Sequence, residues 1–382
     1  MSATITPGSP LRLVRYTLYL SLVWGILLWL PAQGQESETK AEKKAKAEKE
    51  RWGKENPLFT SEEVLQFKLV ANYEKLLKDR GEERGYHPGT LSYLDPSGDT
   101  VTLEVKVMVR GNRRRDPSVC RFPPIMLNFI RKKMPAGTIF ADANKVKLVT
   151  HCINEDLVLR EYLVYKVYNV ITDYSFRVRL CQVDYVDSAG ERRAERRYAF
   201  MIEDDKDMAA RNKGKLLPKE VFVRMDKADD RAMAQLAIFQ YMIGNSDWSV
   251  PFRHNIDILQ TDSVERPIPI PFDFDYSGIV GAPYATPPPE LGLKTVRARL
   301  FRGYSFPENI YREVINTFNA YRTPIYAVYR SCDPLDRGTL KKTLKYLDSF
   351  YKTINNPKRF ENEIVRVGEK NKRTYVTVKG LQ

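Results

Sequence analysis

The stretch of the sequence that most constrains the fold and the chemistry runs from residue 244 to residue 278. An apolar run with helical periodicity ends at Gly244, and two short strand-like runs follow, Ile256 to Leu259 and Ile268 to Ile270. Phosphoryl transfer from a nucleotide requires a carboxylate that orients the acceptor hydroxyl and oxygen ligands for Mg²⁺. The stretch carries side chains of both kinds at the ends of its predicted elements: Asp247, Asn255, Asp273 and Asp275.

These residues also have a purely structural interpretation. Asp, Asn and Gly are ordinary turn residues between strands, and an Asn-x-Asp or an Asp-x-Asp motif is common when it stands alone. This chain, however, places both motifs in order around a hairpin and directly after an apolar helix-like run. The combination favours a catalytic and metal-binding site over a set of unrelated turns.

At the Asn-x-Asp motif, at Asn255 and at the Asp-x-Asp motif the chain resembles the CotH family, spore-coat proteins that belong to the wider protein-kinase-like fold. The resemblance implies that Asp247 is the catalytic Asp and that Asn255 binds metal. It implies Asp273 or Asp275 as the main metal ligand. The chain departs from the usual kinase loop because Asn255 lies eight positions after Asp247, against about five in kinases. Either the additional residues bulge outward or Asn255 does not reach the metal.

The N-lobe implied by the resemblance contains three candidates for nucleotide contacts. In kinases a strand Lys contacts the phosphates and a helix Glu holds that Lys through an ion pair. Lys147 lies on a strand-like run, and Glu161, or Glu155, lies on the helix-like stretch that follows. Glu203 ends the last strand of this lobe, in the predicted hinge to the adenine, residues 201–203. Each of these residues is equally compatible with a solvated surface position.

The sequence has no glycine-rich phosphate loop, neither GxGxxG nor GxxxxGK[ST]. The phosphates would therefore be covered by ordinary loop backbone or by Arg113 to Arg115. These arginines follow Arg110-Gly-Asn112, a segment similar to one in the first lobe of CotH proteins. The Lys pair that usually follows it in that family is replaced by Pro123-Pro124.

The order of patterns predicts an α+β fold with two lobes like those of a protein kinase. The N-lobe, residues 58–205, is expected to be an antiparallel sheet, because alternating runs dominate it and one pair flanks the turn Asp95-Pro-Ser-Gly98. The C-lobe, residues 206–382, is expected to be mainly helical and to contain the catalytic loop, the metal-binding loop and the C-terminal helices. The alternating runs are Leu91 to Leu94, Val101 to Val109, Val178 to Val186 and Tyr198 to Ile202.

The N-terminus is typical of an export signal. Arg12 and Arg15 precede the apolar run Tyr16 to Leu30, and small residues follow it. This run has 15 residues, fewer than the ~20 of a membrane-spanning helix, so a cleaved signal peptide, residues 1–34, is favoured over an uncleaved anchor. Residues 35–57 form a charged linker. We expect a bacterial protein that is periplasmic or extracellular, with no stable membrane span after signal cleavage.

The net charge limits the classes of binding partner, and the cysteine spacing limits the kinds of cysteine site. The 62 Lys and Arg residues against 48 Asp and Glu give a net charge of +14, which attracts anions. No nucleic-acid-binding motif accompanies this charge, so no nucleic-acid partner is predicted, and nucleotide phosphates, an acidic protein or an envelope surface fit equally well. The four cysteines lack CxxC spacing, which disfavours zinc and leaves three possible disulfide pairings or buried thiols. His254 is interpreted as a hydrogen-bonded loop histidine.

These observations predict an exported CotH-like atypical kinase that transfers the γ-phosphate of ATP, with Mg²⁺, to a hydroxyl acceptor. The resemblance implies Ser or Thr of an exported protein as the acceptor. The alternative is a pseudokinase-like envelope scaffold or binding protein without phosphoryl transfer. A metal-dependent hydrolase that uses the same acidic residues is a third, weaker hypothesis.

Overall fold

Seven strands close into a barrel in the first part of the described chain, which comprises residues 50 and 52–374 of a computed structural model. Buried and exposed residues alternate along these strands, so one face fills the barrel interior. The strands are β1 (Leu65–Ala71), β2 (His87–Leu94), β3 (Thr100–Val109), β4 (Ile125–Phe129), β5 (Lys145–Val149), β6 (Val178–Asp187) and β7 (Glu195–Ile202). The turn between β2 and β3 is the one predicted from sequence.

The barrel corrects the expected N-lobe, which was an antiparallel sheet. The order around the barrel is β1-β2-β3-β4-β5-β7-β6, and the ring closes because β1 pairs with β6 in parallel, Leu65 opposite Cys181 through Ala71 opposite Asp187. All other neighbouring strands of the barrel are antiparallel. The alternation in each strand predicted the strands themselves, whereas the pairing of the two edges depends on a contact between distant segments.

A small sheet and a set of helices form the rest. The sheet has the order β10-β9-β8, with β8 (Gly214–Leu216), β9 (Ile256–Thr261) and β10 (Ile268–Pro271). The helices in chain order are α1 (Tyr73–Lys78), α2 (Glu155–Ile171), α3 (Asp205–Arg211), α4 (Asp230–Ile243), α5 (Glu308–Ala320), α6 (Arg322–Arg330), α7 (Arg337–Ile354), α8 (Pro357–Phe360) and α9 (Arg366–Thr374), with a π-helical turn, Glu361–Val365, before α9.

The boundary between the two large hydrophobic cores does not follow the chain order. The barrel interior is one core. Helix α2 lies within the first 205 residues, yet its buried face belongs to the second core, together with α4 and the helices after it. Tyr168 of α2, for example, packs against Phe239 of α4 with ring centroids 4.3 Å apart. Helix α2 therefore joins the barrel to the helical part, and all described residues belong to one compact unit.

The predicted signal peptide, residues 1–34, and most of the charged linker lie outside the described residues. Among the residues that the structure does describe, no helix combines the length and the apolar character that crossing a membrane demands.

The cysteines form one disulfide, Cys120 to Cys152, while Cys181 and Cys332 are free thiols. The bond links positions 32 residues apart, for which loop-closure entropy predicts a stabilisation of about 3–4 kcal/mol. We expect the double substitution of Cys120 and Cys152 by Ala to lower the free energy of unfolding in urea by that amount. Cys332→Ser should change it by less than about 1 kcal/mol. Equal losses would show that the bond contributes nothing beyond packing.

His151 is expected to make folding stability depend on pH. Burial lowers the pKa of His151 to about 4, and the positive charges of nearby arginines act in the same direction, although Glu195 opposes the shift. Between pH 6.5 and pH 4 the unfolded chain binds a proton at this ring and the folded chain does not, so the free energy of unfolding falls as the pH is lowered, by about 3 kcal/mol in total. Urea titrations at several pH values should show this slope, and His151→Phe should remove it. An unchanged slope in the variant would contradict the assignment.

Candidate functional site

The β9–β10 hairpin brings two of the predicted site residues to one place. Ile256, the first residue of β9, is opposite Pro271, the last residue of β10. Beyond that pair, the N–H of Phe272 donates to the carbonyl oxygen of Asn255 at 3.1 Å. Asn255 and the residue after Phe272, Asp273, therefore lie together at the open end of the hairpin.

Both residues have unusual backbone conformations. Asn255 has φ 52° and Asp273 has φ 59°, in the left-handed region that non-glycine residues rarely adopt. Such conformations cost free energy and concentrate at functional sites, where they set the direction of a side chain. The two positions thus support a functional interpretation of the hairpin end over that of ordinary turns.

The catalytic candidate, Asp247, follows the end of helix α4, which is hydrogen-bonded to the loop after β10. The helix ends at Gly244, whose φ of 66° and close neighbours exclude a side chain, since an added Cβ would lie 2.0 Å from Oη of Tyr346. The Gly244 carbonyl accepts the N–H of Gly278 at 3.0 Å, which joins the helix end to the loop after β10. Asp247 follows three residues later and is 6% exposed.

Asp247 is held by its neighbours in the loop. Its Oδ1 lies 2.8 Å from Nε2 of His254, and Nδ2 of Asn255 donates to its Oδ2 at 3.1 Å and to its carbonyl oxygen at 2.8 Å. His254 is thus a hydrogen-bonded loop histidine, which confirms that interpretation. The longer interval does not separate Asp247 from Asn255, because Ser249 pairs with His254 through two backbone hydrogen bonds and the intervening residues form a closed turn.

Arg302, which the sequence analysis did not single out, fixes the same loop from outside. One of its terminal nitrogens, Nη1, donates to the carbonyl oxygens of Ser246 and Trp248, the residues on either side of Asp247. Burial lowers the pKa of Arg302 to about 10, although Asp247 opposes the shift. A partly buried guanidinium that holds the carbonyl groups on both sides of Asp247 restricts the direction in which Asp247 points.

The second acidic cluster is organised around Arg114. Its guanidinium contacts Oε2 of Glu161 at 2.9 Å, Oδ1 of Asp273 at 2.8 Å and, through Nε, Oδ2 of Asp275 at 3.2 Å. The Arg114 side chain is 9% exposed, and those of Glu161 and Asp275 are 3% and 7% exposed. One buried cation therefore neutralises carboxylates from α2 and from the loop after β10.

The pKa shifts reflect this competition between burial and charge. Burial raises the pKa of Glu161 and raises that of Asp275 well above its ordinary value, although Arg114 opposes both shifts. Burial alone would lower the pKa of Arg114, but the three carboxylates outweigh it and raise that pKa well above the usual value. The cluster depends on Arg114, because no other cation among the described residues forms an ion pair with Glu161 or Asp275.

Packing of Phe274 against other aromatic rings sets the orientation of Asp273 and Asp275. Phe274, fully buried, contacts Tyr165 of α2 and Phe239 of α4 at centroid distances of 4.7 and 5.6 Å. The residues on either side of it, Asp273 and Asp275, consequently face the opposite way, toward Arg114. The N–H of Asp273 donates to Oη of Tyr165 at 2.8 Å, which fixes the strained residue.

The ion pair predicted for Lys147 is not formed. Lys147 lies on β5 opposite Ile202, the last residue of β7, so its side chain reaches the start of α3, and Nζ lies 2.5 Å from Oδ1 of Asp205. Glu161 binds Arg114 instead. The alternative partner, Glu155, accepts the N–H of Tyr198 at 2.6 Å. A phosphate contact by Lys147 stays a prediction.

Glu203 is buried in a structural ion pair. Its carboxylate accepts hydrogen bonds from Arg211 at 3.1 and 3.0 Å and from the N–H of Arg177 at 2.9 Å. The N–H of Glu203 donates to the carbonyl of Arg177. Only its carbonyl oxygen is left for the predicted contact with adenine.

A small cleft lies between Arg114 and Lys147. It is lined by the cations Arg110, Arg114 and Lys147, by Glu161 and Asp273, and by the apolar residues Val149, Tyr165, Phe176, Ile202 and Phe272. Its cavity volume is about 20 Å³, which admits about one water molecule. Phe176 and Phe272 meet edge to face across it, with centroids 6.0 Å apart. A nucleotide would therefore have to displace these two rings.

The predicted metal ligands have oxygen atoms of the kind that bind Mg²⁺, and one of the carboxylates is accessible to solvent. Asn255, Asp273 and Asp275 offer the hard oxygen donors that Mg²⁺ takes. Arg114 contacts both acids, but Asp275 is also bound by the hydroxyl of Tyr284 and is 7% exposed, whereas the Asp273 side chain remains 42% exposed. Asp273 is thus the better candidate for the main ligand. Within residues 50 and 52–374, no group of three or more His, Cys, Asp and Glu side chains is arranged to hold a metal ion.

Comparison with known proteins adds little to this description. No protein-family model matches the chain. The curated proteins contain no match to it either. Among solved structures, the chain is similar to the crystal structure of a Helicobacter pylori proinflammatory kinase, CtkA, with 8% sequence identity and a TM-score of 0.35 over 66% of this chain and 92% of that chain. This similarity is too weak to assign a shared fold.

Proposed function

We propose that the chain is a kinase-like phosphotransferase that uses ATP with Mg²⁺ to phosphorylate a hydroxyl acceptor. One observation carries the proposal: the fold holds a buried carboxylate, Asp247, against Asn255, and the same hairpin end carries Asp273 beside the guanidinium of Arg114. Phosphoryl transfer depends mainly on positioning and on neutralising the phosphate charges, and these four residues provide groups for both tasks.

Each residue has a distinct part in this proposal. Asp247, with both carboxylate oxygens oriented by His254 and Asn255, would orient an acceptor hydroxyl and accept its proton. Asn255 and Asp273 would hold Mg²⁺, which supplies positive charge to the phosphates when bound. Arg114, held by Glu161, takes the place that the resemblance gave to Lys147.

The acceptor and the compartment are proposed on separate grounds. The resemblance to the CotH family supports Ser or Thr of an exported protein as the acceptor. The N-terminal pattern supports export, and the Cys120–Cys152 disulfide is compatible with an oxidising compartment. Nucleotide and protein substrate are accordingly the proposed partners.

A second candidate function is a binding or scaffold protein that transfers no phosphoryl group. Two observations favour it: the cleft is closed by Phe176 and Phe272, and Arg114 contacts both acids of the loop after β10. A guanidinium between Asp273 and Asp275 competes with a metal ion for the same oxygens.

Calorimetry with ATP separates the two functions. The kinase proposal predicts saturable heat from ATP that depends on Mg²⁺, whereas a scaffold gives no Mg²⁺-dependent heat. Asp273→Asn should weaken Mg²⁺-dependent ATP binding by about tenfold or more, because loss of an outer-shell partner alone costs about 10–100-fold in metal affinity and Asp273 is a proposed direct ligand. Asp262→Asn is the matched control, since it removes an exposed acid from the far end of the same hairpin. Identical binding in the two variants would remove Asp273 from the proposal.

A further inference from the structure

A second cavity, of about 410 Å³, lies where the β6–β7 hairpin meets the segment before α2. Three arginines and a histidine line it, Arg121, Arg192, Arg197 and His151. None of the residues that line it belongs to the cleft around Arg114. A ligand in this cavity would be separate from the proposed phosphoryl-transfer site.

The charges of this cavity are not balanced by the protein itself. Its two acids, Glu155 and Glu195, are both engaged: Arg197 lies 3.7 Å from the first and donates to the second at 3.1 Å. Arg121 and Arg192 are exposed, and neither guanidinium has a hydrogen bond or an ion pair with any residue of the described chain. Two positive charges are therefore available at the cavity.

A buried nitrogen in the cavity wall also lacks a partner. His151 is 8% exposed, its ring stacks on Phe122 at a centroid distance of 4.6 Å, and within the described residues its Nδ1 has no hydrogen-bond partner. Its Nε2 lies 3.8 Å from Oε1 of Glu195, beyond hydrogen-bond distance. Because buried polar atoms in proteins are nearly always paired, this nitrogen is open to a hydrogen bond with a group in the cavity.

We propose that this cavity binds a small organic molecule that carries a phosphate-type dianion. Guanidinium groups bind phosphate oxygens in a bidentate manner, and Arg121 and Arg192 are the two free guanidiniums. A volume of about 410 Å³ lies in the range of small-molecule sites and exceeds what a bare anion fills. The organic part of the ligand would extend toward His151. The proposal does not depend on the kinase activity.

Calorimetry on the full chain tests the proposal with O-phosphoserine, inorganic phosphate and serine as probes. O-phosphoserine is expected to bind with saturation, and serine is not, because the dianion provides the main contact. Weaker binding of inorganic phosphate than of O-phosphoserine supports the proposed organic ligand. Equal binding of the two contradicts the organic part of the proposal and indicates a site for the free anion. Absence of saturable binding of both anions overturns the proposal.

Three variants assign the binding to this cavity. Arg192→Ala removes an exposed side chain and is expected to weaken O-phosphoserine binding by about tenfold or more, the usual cost of one charge-assisted hydrogen-bonding group. Lys147→Ala, in the other cleft, and Arg312→Ala, an exposed residue of α5, remove one positive charge each and should leave the affinity unchanged. If all three variants lose affinity equally, the binding reflects net charge and the site is refuted.

Discussion

Arg114→Met is expected to lower the free energy of unfolding by about 3–5 kcal/mol at pH 7, the cost of leaving a buried ion pair without one partner. The side chains of Glu161 and Asp275 are almost fully buried, and Arg114 contacts both. Methionine fills a similar volume but offers neither charge nor hydrogen bonds, so both carboxylates would lose their cation. Urea denaturation of the wild type and the variant measures the difference.

The stability lost in Arg114→Met should increase as the pH rises. Without Arg114 the folded-state pKa values of Glu161 and Asp275 lie above their unfolded values, because burial already raises both. The folded variant then binds protons that the unfolded chain has released, so its stability falls as the pH rises above about 4 and recovers as the pH is lowered. The difference from wild type is therefore smallest in acid.

Arg113→Met is the matched control for this substitution. Arg113 lies in the same short turn, and its side chain is 58% exposed. Its ion pair with Asp116 is long, with 3.8 Å between Nη1 and Oδ2. Its replacement should change stability by less than about 1 kcal/mol. Equal effects of the two substitutions would mean that the buried contacts of Arg114 do not form.

Asp247→Asn is expected to lower the rate of phosphoryl transfer by about 10²–10⁴-fold, the usual contribution of a positioned acid or base. The substitution keeps the size of the side chain and removes its ability to accept a proton. ATP affinity should change little, because Asp247 is placed at the acceptor hydroxyl and not at the nucleotide. Transfer of labelled γ-phosphate from ATP to the chain itself or to protein substrates measures the rate, and calorimetry measures affinity.

Asp262→Asn serves again as the control, since it changes an exposed acid of the β9–β10 turn and should leave transfer at the wild-type rate. A variant of Asp247 that retains full activity would remove this residue from the catalytic role. A wild-type protein that consumes no ATP would favour the scaffold function instead.

Local structure was largely predictable from sequence because its determinants are local. The alternating runs predicted the β2–β3 hairpin, and the apolar run ending at Gly244 predicted α4, which the structure bounds at Asp230–Ile243. The strand-like runs around Asn255 and Asp273 likewise predicted the hairpin that brings them together. Periodicity and turn residues act over a few positions, so one sequence suffices to identify them.

The partners of charged residues were not predictable in the same way. Lys147 was expected to pair with Glu161, or with Glu155, because in kinases a helix Glu holds the strand Lys through an ion pair. The partner of Glu161 is instead Arg114, 47 residues away, and Arg114 reaches Asp273 across 159 residues. Nothing in the pattern near Arg114 distinguished it from Arg113 and Arg115, since all three follow the segment similar to CotH proteins. Its burial was the missing information.

The sequence by itself determined the elements and the loops that carry Asp247, Asn255 and the Asp-Phe-Asp motif, since short-range periodicity and turn chemistry define them. Only the tertiary structure decided that the barrel closes through β1 and β6, that Cys120 pairs with Cys152, and that one guanidinium neutralises the acids around the cleft. Each of these contacts joins segments far apart in the chain, and the groups meet only after the fold has formed, so the residues around either segment carry no information about its partner.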